Sequence, residues 1–258
     1  METSKIRKIL AGILTMIGVG ATAVGSAQEK LWQQTYEARQ KYFEHTVGPF
    51  PKDIQKMLNM SGVWPGGGLY AIPAQRLGKG LVVYTTFGLT NADMPTTVRV
   101  IDFNLDSEEK RATRAEGKLE KKPPVAKQAG AAGYGYEFIV VTPAGQDWPL
   151  NLLQWAVNAE LTNDVGLLAR VEKYDGLTVE QLHVGAPAPI NILISKALSP
   201  LPVGTQLPAG KMEVLVATVI TSEEMEWSMK NGRGALLRKL RDAGVGQISK
   251  LNRTSVVQ

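Results

Sequence analysis

The segment GAAGYGYEF, residues 130–138, carries three glycines in the spacing G-x-x-G-x-G and at first resembles a glycine-rich phosphate loop. A phosphate loop places its glycines after a strand and before a helix, because the free amides at the start of the helix face the anion. Here the glycines follow a polar segment and precede a predicted strand, and no lysine of the phosphate-loop type comes after them. We therefore interpret Gly130, Gly133 and Gly135 as residues that let the chain turn into a sheet and permit close approach of a neighbouring backbone.

Other sequence patterns that support catalysis or metal binding are missing. With no cysteine, the chain has neither a thiolate nucleophile nor a zinc site built on sulfur. Its two histidines, His45 and His183, lack the H-x-H or H-E-x-x-H spacing of metal ligands, and a G-x-S-x-G nucleophile motif is absent. We therefore predict no metal, no cofactor and no catalytic residue.

The strongest candidate for a catalytic group of carboxylates is Glu223, Glu224 and Glu226. Thr221 and Glu224 fit a capping box at the start of a helix, and acidic side chains in the first turn also interact favourably with the helix dipole. Capping explains this group without catalysis. The alternative function is that of an envelope hydrolase. Its active site would be assembled from residues distant in sequence, such as Glu223 or His183.

The first 27 residues have the order of a secretory signal peptide. Basic residues up to Lys8 precede an uncharged apolar stretch, residues 9–24, and small residues follow that permit cleavage after Ala27. A retained membrane anchor is the alternative, but the apolar stretch is short and is interrupted by glycine and threonine. We predict an exported protein, periplasmic or secreted, with no membrane span once the leader is removed.

The net charge of +5 is too small to indicate nucleic-acid binding, but basic residues concentrate near the C-terminus. Residues 230–253 hold seven basic residues against the single acid Asp242. The seven are Lys230, Arg233, Arg238, Lys239, Arg241, Lys250 and Arg253. A solvated helix face explains this pattern, and a contact surface for an acidic partner is the alternative, with Arg238 as a candidate contact.

The order of predicted elements lacks regular β-α-β alternation, which favours an α+β fold with a mixed, largely antiparallel sheet packed with helices. Helices are predicted at residues 29–45, through Ile54 and Leu58, at 148–161, at 165–171, after Thr221 and at 234–243. Strands are predicted at residues 69–72, 81–89, 97–105, 134–142, 190–198 and 211–221.

Two of these segments carry further predictions. In helix 148–161, which Asp147 is placed to cap, Trp148 and Leu152 recur with Ala156 and Ala159 at three or four residues, so this face is predicted to be buried. Residues 106–130 are predicted to form a long polar loop, because apolar residues almost vanish and residues 106–127 hold seven basic and five acidic residues.

Six blocks in this order resemble the Suppressor of fused domain family, from about residue 68 to the C-terminus. They are YTTFGLTNADM, GYGYEF, WPLNLLQWA, LPAGKMEVLVATVITSEEMEW, GALLRKLRDAG and LNRTSV. We therefore divide the chain into a signal peptide at residues 1–27, an N-terminal helical segment at 28–65 and a Suppressor of fused-like domain at 66–258. The leader, the helix at 29–45 and the polar segment at 106–127 depart from the usual family pattern.

The resemblance implies a non-enzymatic domain that binds another protein. The animal member sequesters a transcription factor, and bacterial relatives are thought to include immunity proteins that neutralise toxins. We therefore expect a protein partner, such as a toxin, and an immunity- or antitoxin-like role. A structural envelope protein without a dedicated partner is a further alternative, and the sequence indicates no oligomeric state.

The block at residues 84–94 is a candidate place for the partner. In this strand Val83, Thr85 and Phe87 can face the core while Tyr84 and Thr86 point the other way. If the strand lines a groove, a partner segment docks over Tyr84 and Thr86. The alternative is that Tyr84 packs beneath the long polar loop.

Overall fold

The computed structural model describes residues 23–50, 67–95, 98–105, 115–121 and 128–257. Its helices are α1 (Ala23–Thr46), α2 (Trp148–Asn163), α3 (Leu167–Tyr174), α4 (Ser222–Asn231) and α5 (Arg233–Asp242). Its strands are β1 (Gly68–Pro73), β2 (Leu81–Phe87), β3 (Val98–Leu105), β4 (Ala115–Lys121), β5 (Ala131–Pro143), β6 (Leu177–Leu182), β7 (Ile190–Lys196), β8 (Gly204–Leu207) and β9 (Gly210–Ile220).

The main sheet has seven strands in the order β1-β2-β5-β9-β7-β6, and β8 pairs with β9 beside this path. β5 and β9 run parallel at its centre, and the other pairings in the sheet are antiparallel. β3 and β4 form a separate antiparallel pair. The expected α+β fold with a mixed, largely antiparallel sheet is confirmed.

Helices cover both faces of the main sheet. On one face, α2 and α3 pack through Leu152, Leu153 and Leu168 against residues of β5, β7 and β9. On the other face, α1 packs through Phe43 with apolar residues of β1, β2 and β5. The central strands are therefore buried on both sides, which explains their nearly continuous apolar runs.

Helix α2 forms where its periodicity predicts, and the expected inward face is buried. Asp147 takes the N-cap position, but its side chain makes no capping hydrogen bond. Pro149 lies in the first turn, where its missing amide hydrogen has no helical partner to lose. α4 and α5 pack on each other and on the sheet. Met225 of α4 and Leu236 and Leu240 of α5 lie in one apolar cluster with Leu193 and Ile220 of the sheet.

Strand β4 lies inside residues 106–130, where the sequence predicts a loop. The strand carries no alternation of apolar residues, so the period-2 signal is absent, yet backbone pairing with β3 needs only a partner of suitable register. That register places Arg99 opposite Glu120 and Asp102 opposite Lys118. The predicted helix through Ile54 and Leu58 lies outside the described residues, as does most of the predicted leader. Within the described ranges, no helix has both the length and the apolar character needed to cross a membrane.

Candidate functional site

A buried carboxylate on the central strand β5, Glu137, lies at the centre of a polar cluster. Its Oε2 accepts a hydrogen bond from the Thr86 hydroxyl at 2.7 Å. Its Oε1 accepts from the Thr90 hydroxyl at 2.7 Å and from the backbone amides of Gly88 at 3.0 Å and Thr90 at 3.1 Å. The blocks YTTFGLTNADM and GYGYEF therefore meet in space, because the antiparallel pairing of β2 with β5 brings them side by side.

Arg39 of α1 is the positively charged member of this cluster. One terminal nitrogen donates to the Thr90 hydroxyl at 2.8 Å and to Glu137 Oε1 at 3.1 Å, and the other donates to Asn91 Oδ1 at 2.8 Å. The guanidinium carbon lies 4.0 Å from the ring centroid of Phe87. Both charged side chains are 0% exposed. Burial lowers the pKa of Arg39, and the carboxylate of Glu137 opposes that shift.

Sequence reasoning missed this pair, although each member has a local signal. Glu137 is a charged residue within an otherwise apolar strand, and such a residue is buried only when it is paired. Arg39 falls between Tyr36 and Phe43 at helical spacing, so it shares their inward face. Neither signal identifies the partner, because the two charges are 98 residues apart in the chain.

The glycine segment serves the same region. Gly133 has φ 55° and Gly135 has φ 85°, in the left-handed region that favours glycine. A Cβ at Gly133 would lie 2.9 Å from Cβ of Met94 and 3.0 Å from the carbonyl oxygen of Asn91. The backbone amide of Tyr134 donates to the Leu89 carbonyl at 2.9 Å. The predicted close approach of a neighbouring backbone is confirmed for Gly133, whereas a Cβ at Gly130 would meet nothing within 4 Å and one at Gly135 would meet only side chains.

A second buried carboxylate, Glu160 of α2, joins three elements. It accepts hydrogen bonds from the hydroxyl of Tyr136 on β5 at 2.7 Å and from the amides of Gly166 at 2.6 Å and Leu167 at 3.2 Å, at the start of α3. Burial raises the pKa of Glu160, and these hydrogen bonds oppose that shift. The carboxylate satisfies amides at a helix start, which is a structural role.

The capping box predicted from Thr221 and Glu224 is present. Thr221 and Glu224 form both bonds of the capping box at α4, while Glu223 and Glu226 are exposed. Glu224 also forms a two-pronged ion pair with Arg253 of the LNRTSV block. Burial acts to raise the pKa of Glu224, but the hydrogen bonds, chiefly those from Arg253, lower it overall.

The predicted partner residues lie in different environments. Tyr84 is 5% exposed and Thr86 is 0% exposed. Tyr84 packs in the cluster beneath α2 and its hydroxyl donates to the Gln146 carbonyl at 2.6 Å, while Thr86 binds Glu137. Within the described residues, helices pack on both faces of β2, so neither side chain is exposed to a partner. Arg238, in contrast, is exposed on α5.

Arg238 belongs to a basic surface on α4 and α5, which we define as Lys230, Arg238, Lys239 and Arg241. All four are exposed. Nearby on α4, Met229 is 70% exposed, and the Lys239 ammonium lies 5.3 Å from the ring centroid of Trp227. Arg253 is not part of this surface, because its guanidinium binds Glu224. The geometry provides positive charge beside apolar and aromatic groups, a composition suited to an acidic protein segment.

The two histidines lie on different elements of the fold. His45 is exposed in the last turn of α1, and His183 is exposed just after β6. In the part of the chain that the structure describes, no group of three or more His, Cys, Asp or Glu side chains is placed to hold a metal ion.

Comparison with known proteins identifies the family. The family model described as Suppressor of fused protein (SUFU) matches residues 67–254. No curated protein sequence matches the chain. The solved structure of the Sufu-Fu complex superposes with a TM-score of 0.50 at 14% identity, covering 86% of this chain and 92% of that chain.

Two further solved structures also match this chain. A protein named as a SUFU homolog from Neisseria gonorrhoeae FA 1090 gives a TM-score of 0.50 at 14% identity, covering 89% of this chain and 98% of that chain. Drosophila Suppressor of Fused gives a TM-score of 0.47 at 14% identity, covering 87% of this chain and 50% of that chain. Since the matching family model extends over residues 67–254, from the start of the main sheet to the LNRTSV block, this chain belongs to the Suppressor of fused protein (SUFU) family.

Proposed function

We propose that this chain is a non-enzymatic domain whose function is to bind another protein. Family membership over residues 67–254 carries the proposal. A protein of the same fold has been solved as the Sufu-Fu complex, which is a pairing of a family member with a second protein. We transfer the mode of action, binding to a protein, and not the identity of that partner.

The use of the buried carboxylates supports this proposal. Glu137, Glu160 and Glu224 are the strongest candidates for acid-base chemistry by burial, since each is at most 2% exposed. Each is occupied by hydrogen bonds that connect elements of the fold: Glu137 with β2 and α1, Glu160 with α3, Glu224 with the C-terminal segment. The three carboxylates therefore have structural roles. We accordingly look for the partner-binding site on the surface.

The basic surface on α4 and α5 is the proposed contact for an acidic partner. Exposed charges of one sign accelerate encounter with an oppositely charged protein, and the effect decreases with ionic strength. The neighbouring exposed Met229 adds an apolar contact. Arg238 lies in the middle of α5, so we propose it as a contact residue of this surface.

We further propose that the protein acts outside the cytoplasm, as an immunity- or antitoxin-like factor whose partner is a toxin. The sequence of residues 1–27 supports export, with cleavage after Ala27. Cleavage there would shorten α1 only at its exposed end, because residues 27–30 are exposed while Arg39 and Phe43 are buried. The segment that covers the sheet would therefore stay with the mature chain.

Two measurements test export and partner binding. N-terminal sequencing of the protein from an envelope fraction should give a start at Gln28; a protein that keeps Met1 in the cytoplasm would overturn the export proposal. Affinity purification of the mature protein from envelope extract, followed by mass spectrometry, should identify an acidic protein partner. Recovery of no specific protein would count against the binding function.

With the partner in hand, Arg238→Ala tests the basic surface. The variant should lower the association rate constant and weaken its dependence on salt, because it removes an exposed charge that steers encounter. Lys41→Ala is the matched control, since Lys41 is exposed on α1, outside the basic surface. Equal association rates and salt slopes for the two variants would show that the partner binds elsewhere.

A further inference from the structure

The recess around Glu137 has the form of a binding site for a guanidinium group. Its acceptors are the Glu137 carboxylate, the Thr90 hydroxyl and the Asn91 side-chain carbonyl, and the Phe87 ring forms one wall. We propose that this recess is a guanidinium receptor built by the SUFU domain, and that α1 is held on the sheet as its ligand through Arg39. The site has a defined chemical class of ligand: an arginine side chain presented by a helix.

The receptor is organised independently of its ligand. The Glu137 carboxylate is held by the hydroxyls of Thr86 and Thr90 and by the amides of Gly88 and Thr90. The Thr86 hydroxyl is in turn fixed by the amide of Phe138 at 2.8 Å. These contacts do not involve Arg39, so the domain itself holds the carboxylate group in position.

The arrangement of acceptors selects a guanidinium over an ammonium. The two terminal nitrogens of Arg39 bind different acceptors, Glu137 and Thr90 on one side and Asn91 on the other, and a single ammonium cannot occupy both positions. The planar cation also packs on the Phe87 ring at 4.0 Å. Nε of Arg39 is buried without a partner, so the recess recognises the two terminal nitrogens and not the whole side chain.

Receptor and ligand come from different parts of the chain. Thr86, Phe87, Thr90, Asn91 and Glu137 all lie within the matched residues 67–254, whereas Arg39 lies before them. Other contacts of α1 with the described residues are of different kinds: its Phe43 packs in the apolar cluster, the Tyr36 and Tyr70 hydroxyls are 3.1 Å apart, the Tyr42 hydroxyl accepts from the Gly204 amide, and the Glu44 carbonyl accepts from Nε of Arg76. Arg39 is thus the charged contact that the domain recognises in this helix.

Chemical rescue tests the proposal with the full chain. Arg39→Ala removes the atoms of an ethylguanidinium group, so ethylguanidinium chloride is the matching probe and ethylammonium chloride the control cation. At millimolar concentration, far below denaturing levels, ethylguanidinium should raise the melting temperature of the variant in a saturable manner. A probe at ten times its dissociation constant should raise it by about 3–6 °C for a chain of this size.

The controls separate a specific site from a general salt effect. Wild-type protein should show no rise, because Arg39 fills the recess, and ethylammonium should be ineffective on the variant. Adding Asn91→Ala to Arg39→Ala removes one acceptor and should weaken the probe about tenfold. An equal response of wild type and variant, or an equal response to both cations, would overturn the proposal.

Arg39→Ala can also fail to fold, and the same comparison then applies to refolding. The yield of soluble folded protein after dilution from denaturant should be several-fold higher with ethylguanidinium than with ethylammonium. Equal yields with the two cations would overturn the proposal as directly as equal melting temperatures.

Discussion

The buried pair of Arg39 and Glu137 makes a quantitative prediction about stability. Glu137→Gln is nearly isosteric: the amide oxygen can still accept from the Gly88 and Thr90 amides, and the new amide nitrogen faces the Thr86 hydroxyl, which can accept a hydrogen bond. The substitution therefore removes one charge and the acceptor that Oε2 provides for the Thr86 hydroxyl hydrogen. Arg39 is left 0% exposed with only neutral acceptors.

The expected loss follows from that uncompensated charge. Breaking a fully buried ion pair by removing one partner costs about 3–5 kcal/mol of unfolding free energy. Glu137→Gln should lie at the upper end of this range. Arg39→Met should lie at the lower end, because Glu137 keeps its donors from Thr86, Gly88 and Thr90. The double variant should cost less than the sum of the two, with a coupling of at least about 1.5 kcal/mol.

Urea denaturation measures these quantities. With an m-value near ~3 kcal/mol/M for a chain of this size, Glu137→Gln should lower the midpoint by about 1–2 M without changing m. Additivity of the two single variants to within about 0.5 kcal/mol would refute the pairing, since residues that do not interact give additive effects. A smaller loss of unfolding free energy for Glu137→Gln than for Arg39→Met would refute the claim that Thr86, Gly88 and Thr90 stabilise the Glu137 carboxylate in the absence of Arg39.

Three further predictions concern the core, the glycine segment and the capping carboxylate. Leu152→Ala should cost about 2–5 kcal/mol in urea denaturation, whereas Met229→Ala, at a 70% exposed position, should stay within about 0.5 kcal/mol; a Leu152 loss as small as the control would mean that the buried face is wrong. Gly133→Ala should lower the melting temperature more than Gly145→Ala, because both have positive φ but only Gly133 has neighbours within 4 Å; equal shifts would contradict the close approach. Glu224, whose pKa is lowered on folding, contributes stability that is present above its ordinary value of 4.5 and is lost as pH falls below it. The stability difference between wild type and Glu224→Gln should therefore narrow between neutral pH and pH ~3, and a difference independent of pH would exclude this titration.

Local features of the chain were predictable from the sequence. The capping box at Thr221, the start of α2 at Trp148 and the buried repeat along that helix depend on residues within a few positions of one another. The need for glycine at Gly133 was also predictable, because glycine weakens a strand and three glycines at its start therefore indicate a backbone shape that other residues do not adopt. Six ordered blocks also indicated the family, and the family model confirms it.

Strand β4 and the packing of Tyr84 beneath α2 were not predictable in this way. A charged segment forms β4 because β3 offers its backbone as a partner, and backbone pairing leaves no apolar pattern in the sequence. The alternation of Val83 and Tyr84 correctly separates two faces of β2, but an alternating pattern cannot show that α1 covers one face and α2 the other.

The sequence by itself determined the capping box of α4, the turn at Gly133, the alternation of β2 and the family, since each depends on short-range geometry or on the order of motifs. Tertiary structure alone decided which buried charges are paired. Arg39 meets Glu137 across 98 residues because strand order places β2 beside β5 and because α1 lies over that pair. Two charges are stable in a fully buried position only when packing brings them together and excludes water, and no local segment of the chain contains that information.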